Sequence, residues 1–597
     1  ETHFTNEMLT SLQNDLHNVL WGGGGTGDND VFSSLTNLIL AKIQDEVEKD
    51  NGQKYDFQCF AFKDEETDEY ESLDDLYERI NGLYRRALEN KLNITDKKRL
   101  ATSQVVDTNK FSLAKVKYTV QSLEKYSFVD GKNSLSGKDI LGDFFEGIIR
   151  DGFKQSKGQF FTHINIVKFM LWAIQADRLA IKNINAQGEI PYMIDPSAGS
   201  GTFLIEYMKF ITANIKYRFR DQLSTNRNVK DRVESDWFYP DDRENKWAKE
   251  FIYGCELNFD LGTATKVNLI LHGDGSTNIF VGAQKGDGLL PFPEYTKETG
   301  TDELNKQFDD KNYPKKINGR FDLILTNPPF SVDLDNETKK KLEKSFLFGN
   351  KKNSENLFIE RYYQLLKEGG RLAAVLPESV YDTTENKYIR LFIYKYFNVK
   401  AVVSLPQSTF APFTNTKTSI LFAQKKNTTQ IEKWNATWEK YSKEWAHIKT
   451  RVENIVLVTD GKKQKDKLPS IKNLSEKEER ELLDRLLKGY VQTSDKKFSN
   501  TELIEKYRNE IEGLCKFDKD TKDVFGMVNT WWVFGEVSKE LDYHIFNAEV
   551  ENIGYKRTKR GIKVQANDLY RETSEGEIIV DDGKMESILD YMREIDW

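Results

Sequence analysis

The stretch Asn327-Pro328-Pro329-Phe330 holds the residue types that point most directly to chemistry. Two successive prolines fix φ twice and carry no N–H, so the backbone is stiff and its carbonyls face no competing local donor. The Asn327 side-chain oxygen and the Pro328 carbonyl can then accept both hydrogens of one planar amino group. Pro329 holds the turn, and Phe330 offers an apolar ring on which a base could stack. Taken alone, the tetrapeptide is equally a rigid turn after a buried strand. The apolar run Phe321–Leu325 before it has strand length. That places Asn327 at the C-terminal end of a strand, the usual position of a site on an open α/β sheet.

A second strand end lies at Tyr192–Asp195, followed by Pro196-Ser197-Ala198-Gly199-Ser200-Gly201 and a helix expected over Thr202–Phe210. Asp195, Ser197, Gly199, Gly201 and Thr202 thus form the acid, small-residue loop and helix start of a nucleotide-type cofactor site. No third glycine follows three residues after Gly201, and no phosphate-cradling Lys is present. A cofactor with an adenosine but no phosphates fits this loop better than a dinucleotide. Glu256, ending the expected strand Phe251–Glu256, is placed to accept two ribose hydroxyls. Asp287, within Gly286-Asp287-Gly288, can accept from an adenine amino group, although a Gly-Asp-Gly turn is often only a turn. Upstream, Gly158-Gln159-Phe160-Phe161-Thr162 precedes an apolar helix at Ile166–Ile174. It offers backbone N–H groups and an aromatic wall to a small molecule, or serves as an ordinary helix cap.

Other residues suit a polyanion. Lys556, Arg557, Lys559 and Arg560, with Lys563, form the densest positive cluster and read as a clamp on a nucleic-acid backbone or as a solvated hairpin. Lys339, Lys340, Lys341, Lys344, Lys351 and Lys352 form a second basic run with the same two readings. Phe410 and Phe413 are candidates for the second wall of a base sandwich, with core packing equally open.

Three regions would position these residues. Residues 1–150 read as a helical N-terminal domain, with Leu73, Leu76, Tyr77, Ile80, Leu83, Tyr84, Ala87 and Leu88 on one helical stripe. Residues 151–426 alternate strands and helices. Residues 427–597 read as a mixed, mainly helical region with a Ser475/Glu478 capping box and a basic, hairpin-like tail. Gly22–Gly25 lack a following Gly-Lys-Ser/Thr and read as a connection rather than a P-loop.

Composition excludes several classes. At 38% hydrophobic and 12% aromatic residues the 597-residue chain suits a folded protein with a sizeable core, not a disordered one. A net charge of −8 argues against a uniformly basic surface but leaves room for a basic groove. The three cysteines are far apart and the six histidines scattered, so neither a disulfide framework nor a metal cluster is expected. No apolar run is long enough to span a bilayer, and a cytoplasmic protein is expected. The chain begins at Glu1 rather than Met, so further sequence is expected upstream.

The order Gly158–Thr162, Asp195–Gly201, Glu256, Asp287, Asn327–Phe330 resembles the γ-class N6-adenine DNA methyltransferases, in particular the modification subunits of Type I restriction-modification systems. The resemblance spans about Phe153 to Lys425. It implies an α/β Rossmann-like S-adenosylmethionine-dependent methyltransferase domain between helical flanks, with S-adenosylmethionine as cofactor. Asp195, Gly199 and Gly201 would hold its methionine and ribose end, Glu256 the ribose hydroxyls, and Asp287 the adenine. Phe160 and Thr162 would close over the methionine moiety. Asn327 and Pro328 would grip the N6 amine of an adenine flipped out of double-stranded DNA, with Phe330 stacked on its ring. A separate specificity subunit, and a restriction subunit, would be the partners. The rivals are an RNA or protein amino-group methyltransferase and a catalytically silent DNA-binding scaffold. His163 departs from the family, which usually carries Pro there.

Overall fold

The computed structural model describes the chain except residues 1–5, 22–27, 51, 64–68, 93, 129–160, 240–243, 273–277, 284–285, 290–318, 344–345, 350, 352, 412–413 and 559–560. The chain divides into two compact units. One comprises 1–378, 400–424 and 546–597, and the other 379–399 and 425–545. The tail from Phe546, expected within a C-terminal region 427–597, thus falls in the unit that carries the site.

The first unit is built on a sheet of eight strands among the described residues: β1 (Met193–Asp195), β2 (Ile252–Glu256), β3 (Ile279–Val281), β4 (Phe321–Thr326), β5 (Leu366–Pro377), β6 (Phe397–Ser404), β7 (Thr418–Lys425) and β8 (Phe546–Glu549). Their spatial order is β3-β2-β1-β4-β5-β7-β6-β8. β1 pairs in parallel with both β2 and β4, β2 with β3, and β4 with β5, while β7 runs antiparallel to β5. β1 and β2 are buried throughout, and β4 at all but Asp322, as parallel strands covered on both faces must be. Strand order reverses between β1 and β4, and that reversal opens a crevice at their C-terminal ends. Asp195 and Thr326-Asn327 stand there.

β8 was not expected as a strand. Its register with β6 pairs Ala401 with Phe546 and Ser404 with Glu549 in parallel. It leads into a two-stranded hairpin, β9 (Ile553–Thr558) and β10 (Gly561–Asn567).

The helical N-terminal region is anchored by the helix Leu73–Asn90. Ser72 and Asp75 close a capping box at its start, and the expected stripe is buried except for Leu73. This core is continuous with Leu261, Ala264, Val267, Ile270 and Leu271 of the helix Phe259–Leu271, which follows β2. The N-terminal helices therefore brace the helix that carries one wall of the site.

In the second unit, the 32-residue helix Thr428–Thr459 starts at a capping box of Asn427 and Gln430. The expected Ser475/Glu478 capping box opens the helix Glu476–Leu486. No helix among the described residues is long and apolar enough to cross a membrane.

Candidate active site

The loop after β1 turns on two glycines with positive φ, Gly199 (+56°) and Gly201 (+82°). The two are needed for different reasons. A side chain at Gly201 would place Cβ 2.5 Å from Thr265 Cγ2, so the loop lies directly on the helix Phe259–Leu271. At Gly199 a Cβ would meet nothing within 4 Å among the described residues. Thr265 Oγ1 donates to Gly199 O at 2.7 Å and fixes that peptide.

Asp195 is fully buried beneath the loop. Its Oδ1 accepts from Ser197 N at 3.0 Å and from Thr326 Oγ1 at 2.7 Å, whereas Oδ2 has no donor among the described residues. Burial pushes its carboxyl up to about 7, against the pull of the Thr326 and Ser197 hydrogen bonds. Glu256 accepts from Gly199 N at 2.9 Å and from Asn258 N at 2.8 Å. Burial raises it too, to about 7, with the Asn258 and Gly199 N–H groups pulling the other way. Asp287 accepts from Leu289 N at 3.0 Å. The turn is pressed against its neighbours at Gly286 and Gly288, where a Cβ would lie 2.0 Å from Glu256 O and Pro196 O respectively. Arg361, fully buried, donates from Nε to Gly288 O at 3.1 Å and ties this turn to the helix Ser354–Leu365.

Asn327 leaves β4 facing Thr162, and its Nδ2 donates to Thr162 Oγ1 at 3.1 Å. Ser197 Oγ lies 2.9 Å from Thr326 Oγ1 and donates to Asn327 O at 3.2 Å. The strand end that bears Asn327 is thereby tied to the loop after β1.

Together these groups enclose a cavity of about 300 Å³. Of the residues expected at the site, Thr162, Ser197, Gly199, Thr202, Glu256, Asp287, Asn327 and Pro329 line it. Asp195 and Gly201 are not among the lining residues and shape the loops, and Pro328 sits between Asn327 and Pro329, which both line the cavity. Phe330 is 7% exposed and does not line the cavity, so a base could stack on it only after the ring turned outward. Phe410 is 1% exposed, which matches core packing rather than an open wall, and the adjacent Thr409 O accepts from Tyr555 OH at 3.1 Å. Gly158, Gln159, Phe160, Phe413, Lys559 and Arg560 lie outside the described residues, as do Lys344, Lys352 and the side chains of Lys341 and Arg557. Lys556 is exposed on β9 directly opposite exposed Lys563 of β10, an arrangement of like charges that disfavours the hairpin unless an anion covers it.

Several lining residues are not among those the sequence singles out: Phe203, Leu257, Leu261, Val332, Leu334, Ser354 and Phe358. Leu257 and Leu261 follow Glu256 at helical spacing, the one hint that an apolar wall stands beside the acid. His163 caps the helix Ile164–Ala173 by accepting Asn165 N on Nδ1 at 3.1 Å, and its ring stacks on Tyr555 with centroids 3.6 Å apart. The departure from Pro thus has a local use, joining the tail to the segment that holds Thr162. Among the described residues no group of three His, Cys, Asp or Glu is placed to hold a metal.

The site fits an adenosyl sulfonium without phosphates. Glu256 presents a buried carboxylate to hydroxyls, Leu257 and Leu261 give an apolar face to a ring, and Gly199 leaves room beside the loop. Among the described residues no Lys lines the cavity to meet a phosphate.

A doubly wound α/β sheet with this loop, these acids and an Asn-Pro-Pro-Phe strand end has the architecture of a Rossmann-like methyltransferase. The N-6 DNA Methylase family matches residues 136–506, more than half of the chain, and the chain belongs to that family. It is 23% identical over 316 residues to the Type I restriction enzyme EcoEI methylase subunit of Escherichia coli, covering 53% of this chain and 52% of that one. To the Type I restriction enzyme StySPI methylase subunit of Salmonella potsdam it is 23% identical over 427 residues, covering 69% and 67%. The Type II restriction enzyme and methyltransferase RM.BcgI of Heyndrickxia coagulans is 25% identical over 313 residues, covering 52% of this chain and 38% of that one. The chain therefore spans about half or less of two of these three relatives. Among solved structures, the type I restriction-modification methyltransferase subunit of Streptococcus thermophilus superposes with a TM-score of 0.40 at 18% identity, covering 71% of this chain and 86% of that one.

Proposed function

We propose that this chain methylates the N6 amine of adenine in double-stranded DNA, with S-adenosylmethionine as methyl donor, as the modification subunit of a restriction-modification assembly. The observation that carries the reading is one cavity shared by two sets of groups. Gly199, Glu256 and Asp287, which in this reading hold the cofactor, line the same cavity as Asn327, which in this reading holds the acceptor.

When bound, S-adenosylmethionine supplies an electrophilic methyl group on a sulfonium leaving group. The remaining work falls to the chain. Asn327 Oδ1 and Pro328 O accept the two hydrogens of the adenine amine, whose lone pair is otherwise delocalised into the ring. Holding both hydrogens draws the nitrogen toward tetrahedral geometry and turns its lone pair toward the cofactor end of the cavity. The apolar walls exclude water from that line. The target base has to leave the duplex to reach Asn327. Lys556 and its neighbours on the hairpin would meet the phosphate backbone. Sequence choice would come from a specificity subunit.

The test offers radiolabelled S-adenosylmethionine to the full chain with DNA, RNA and protein acceptors in parallel, with and without any polypeptide that co-purifies. Label in N6-methyladenine of DNA, absent in Asn327→Ala, supports the reading. Label in RNA or protein alone overturns it.

A further inference from the structure

The protein treats the three successive carbonyls of the acceptor loop differently. Asn327 O accepts from Ser197 Oγ at 3.2 Å, and Pro329 O accepts from Ser354 Oγ at 3.1 Å. Between them, Pro328 O receives no donor among the described residues.

Ser354 is 1% exposed and opens the helix Ser354–Leu365. Its Oγ also accepts from Val332 N at 3.2 Å. The next residue, Glu355, is 2% exposed and accepts from Ser331 N at 3.0 Å. Ser331 has a φ of +52°, a conformation a serine adopts only when its surroundings hold it there. The first turn of one helix thus grips one carbonyl and two N–H groups within the four residues Pro329–Val332.

A proline ring fixes φ but leaves ψ free, and ψ sets where a carbonyl points. With φ locked at both prolines, the peptide between them can turn only through ψ of Pro328 and Pro329. Pinning the peptide on either side removes that freedom. Ser197 pins the one before, and Ser354 the one after.

We propose that Ser354 is a positioning residue for the methyl acceptor: with Ser197 it brackets the double proline, so that the Pro328 carbonyl alone is presented to the target amine. The inference deepens the function proposed above and rests on it. It also assigns a role to a residue outside the Asn-Pro-Pro-Phe motif. The helix Ser354–Leu365 serves both partners of the reaction, because its Arg361 holds the Gly288 carbonyl beside Asp287.

The test compares wild type with Ser354→Ala, Ser354→Thr and Ser354→Val in the full chain with any co-purifying polypeptide. It reads single-turnover methyl transfer to DNA, affinity for a non-reactive S-adenosyl analogue, and melting temperature. Ser354→Ala is expected to slow transfer about 10- to 100-fold, the range for a misplaced reacting group, with analogue affinity kept and a fall in melting temperature, from the buried groups it leaves unpartnered, too small to account for that loss. Thr and Val have the same shape, so Ser354→Thr should keep most of the rate and Ser354→Val should lose it. That pair decides the matter if the Ala variant does not fold. Equal rates in Thr and Val variants, or a slower rate matched by equal losses of analogue affinity or melting temperature, overturn the inference. A wild type that places no label on DNA adenine overturns the proposed function itself and the inference with it.

Discussion

Asn327 Nδ2 and Thr162 Oγ1 lie 3.1 Å apart, across 165 positions of sequence. The bond joins the strand end that would grip the acceptor to the segment that would close over the cofactor, and it fixes which end of the carboxamide faces Thr162. Thr162→Val keeps the shape and removes the acceptor, so it should lower methyl transfer by about 10-fold or more, as loosened reacting groups do. Thr162→Ser should keep most of the rate. Steady-state kinetics with S-adenosylmethionine as varied substrate checks this, and equal rates in wild type and Val would contradict it.

Asp195 and Glu256 share a titration window. Burial lifts both carboxyls to about 7 in the folded chain, from ordinary values of 3.8 and 4.5. Between those ordinary values and 7 the folded state holds more protons than the unfolded state. Stability therefore falls as pH rises through that window and levels off above it. Asp195→Asn and Glu256→Gln remove part of this slope, so each variant should gain on wild type between pH 5 and pH 8. Ligand binding should run the other way. Ionised Glu256 is the better acceptor for ribose hydroxyls, so analogue affinity should tighten from pH 6 to pH 8, and less so in Glu256→Gln. Melting curves and calorimetry at these pH values read both effects.

Gly201 and Thr265 form a steric pair. Gly201→Ala would combine a φ of +82° with a Cβ 2.5 Å from Thr265 Cγ2. A cost of about 1–3 kcal/mol is expected from the backbone strain, plus the clash. Thr265→Ser removes the methyl group and keeps the hydroxyl that holds Gly199 O. The double variant should recover the clash and not the strain, which a double-mutant cycle in chemical denaturation resolves.

Arg593 anchors the end of the chain to the helix Ala176–Gln187. Its guanidinium meets Asp177 at 2.7 and 2.9 Å, with both side chains 2% exposed, and also meets Asp581 at 2.7 Å. Arg593→Ala strands buried Asp177 and should cost about 3–5 kcal/mol of the first unit's stability. Replacing Arg593 and Asp177 together by Met and Leu should restore most of it. Urea unfolding of both variants measures the difference.

The sequence carried the strand ends because their signals are local. Asp195, Glu256 and Asn327 each close an apolar run, and Asp287 sits in a glycine turn just beyond β3. The stripe from Leu73 to Leu88 and the Ser475/Glu478 cap were legible for the same reason, since helix caps and periodicity involve neighbours a few residues apart. β8 was not legible. Phe546–Glu549 alternates apolar and polar residues over only four positions, too short a run to announce a strand, and its place is set by register with β6 nearly 150 positions earlier. Ser354 and Arg361 carry no local signal; only the fold brings them to Pro329 and Gly288. The burial of Phe330 and Phe410 was equally hidden, because an aromatic that packs inward and one that faces a cavity look alike in a sequence.

The most direct measurement expresses the full chain, with its co-purifying partners, in a bacterial host lacking adenine methylases, then digests the genomic DNA and quantifies modified nucleosides by mass spectrometry. The account predicts N6-methyladenine with wild type and none with Asn327→Ala, although the variant still binds the S-adenosyl analogue. N6-methyladenine at equal levels in both, or none with wild type, would contradict it.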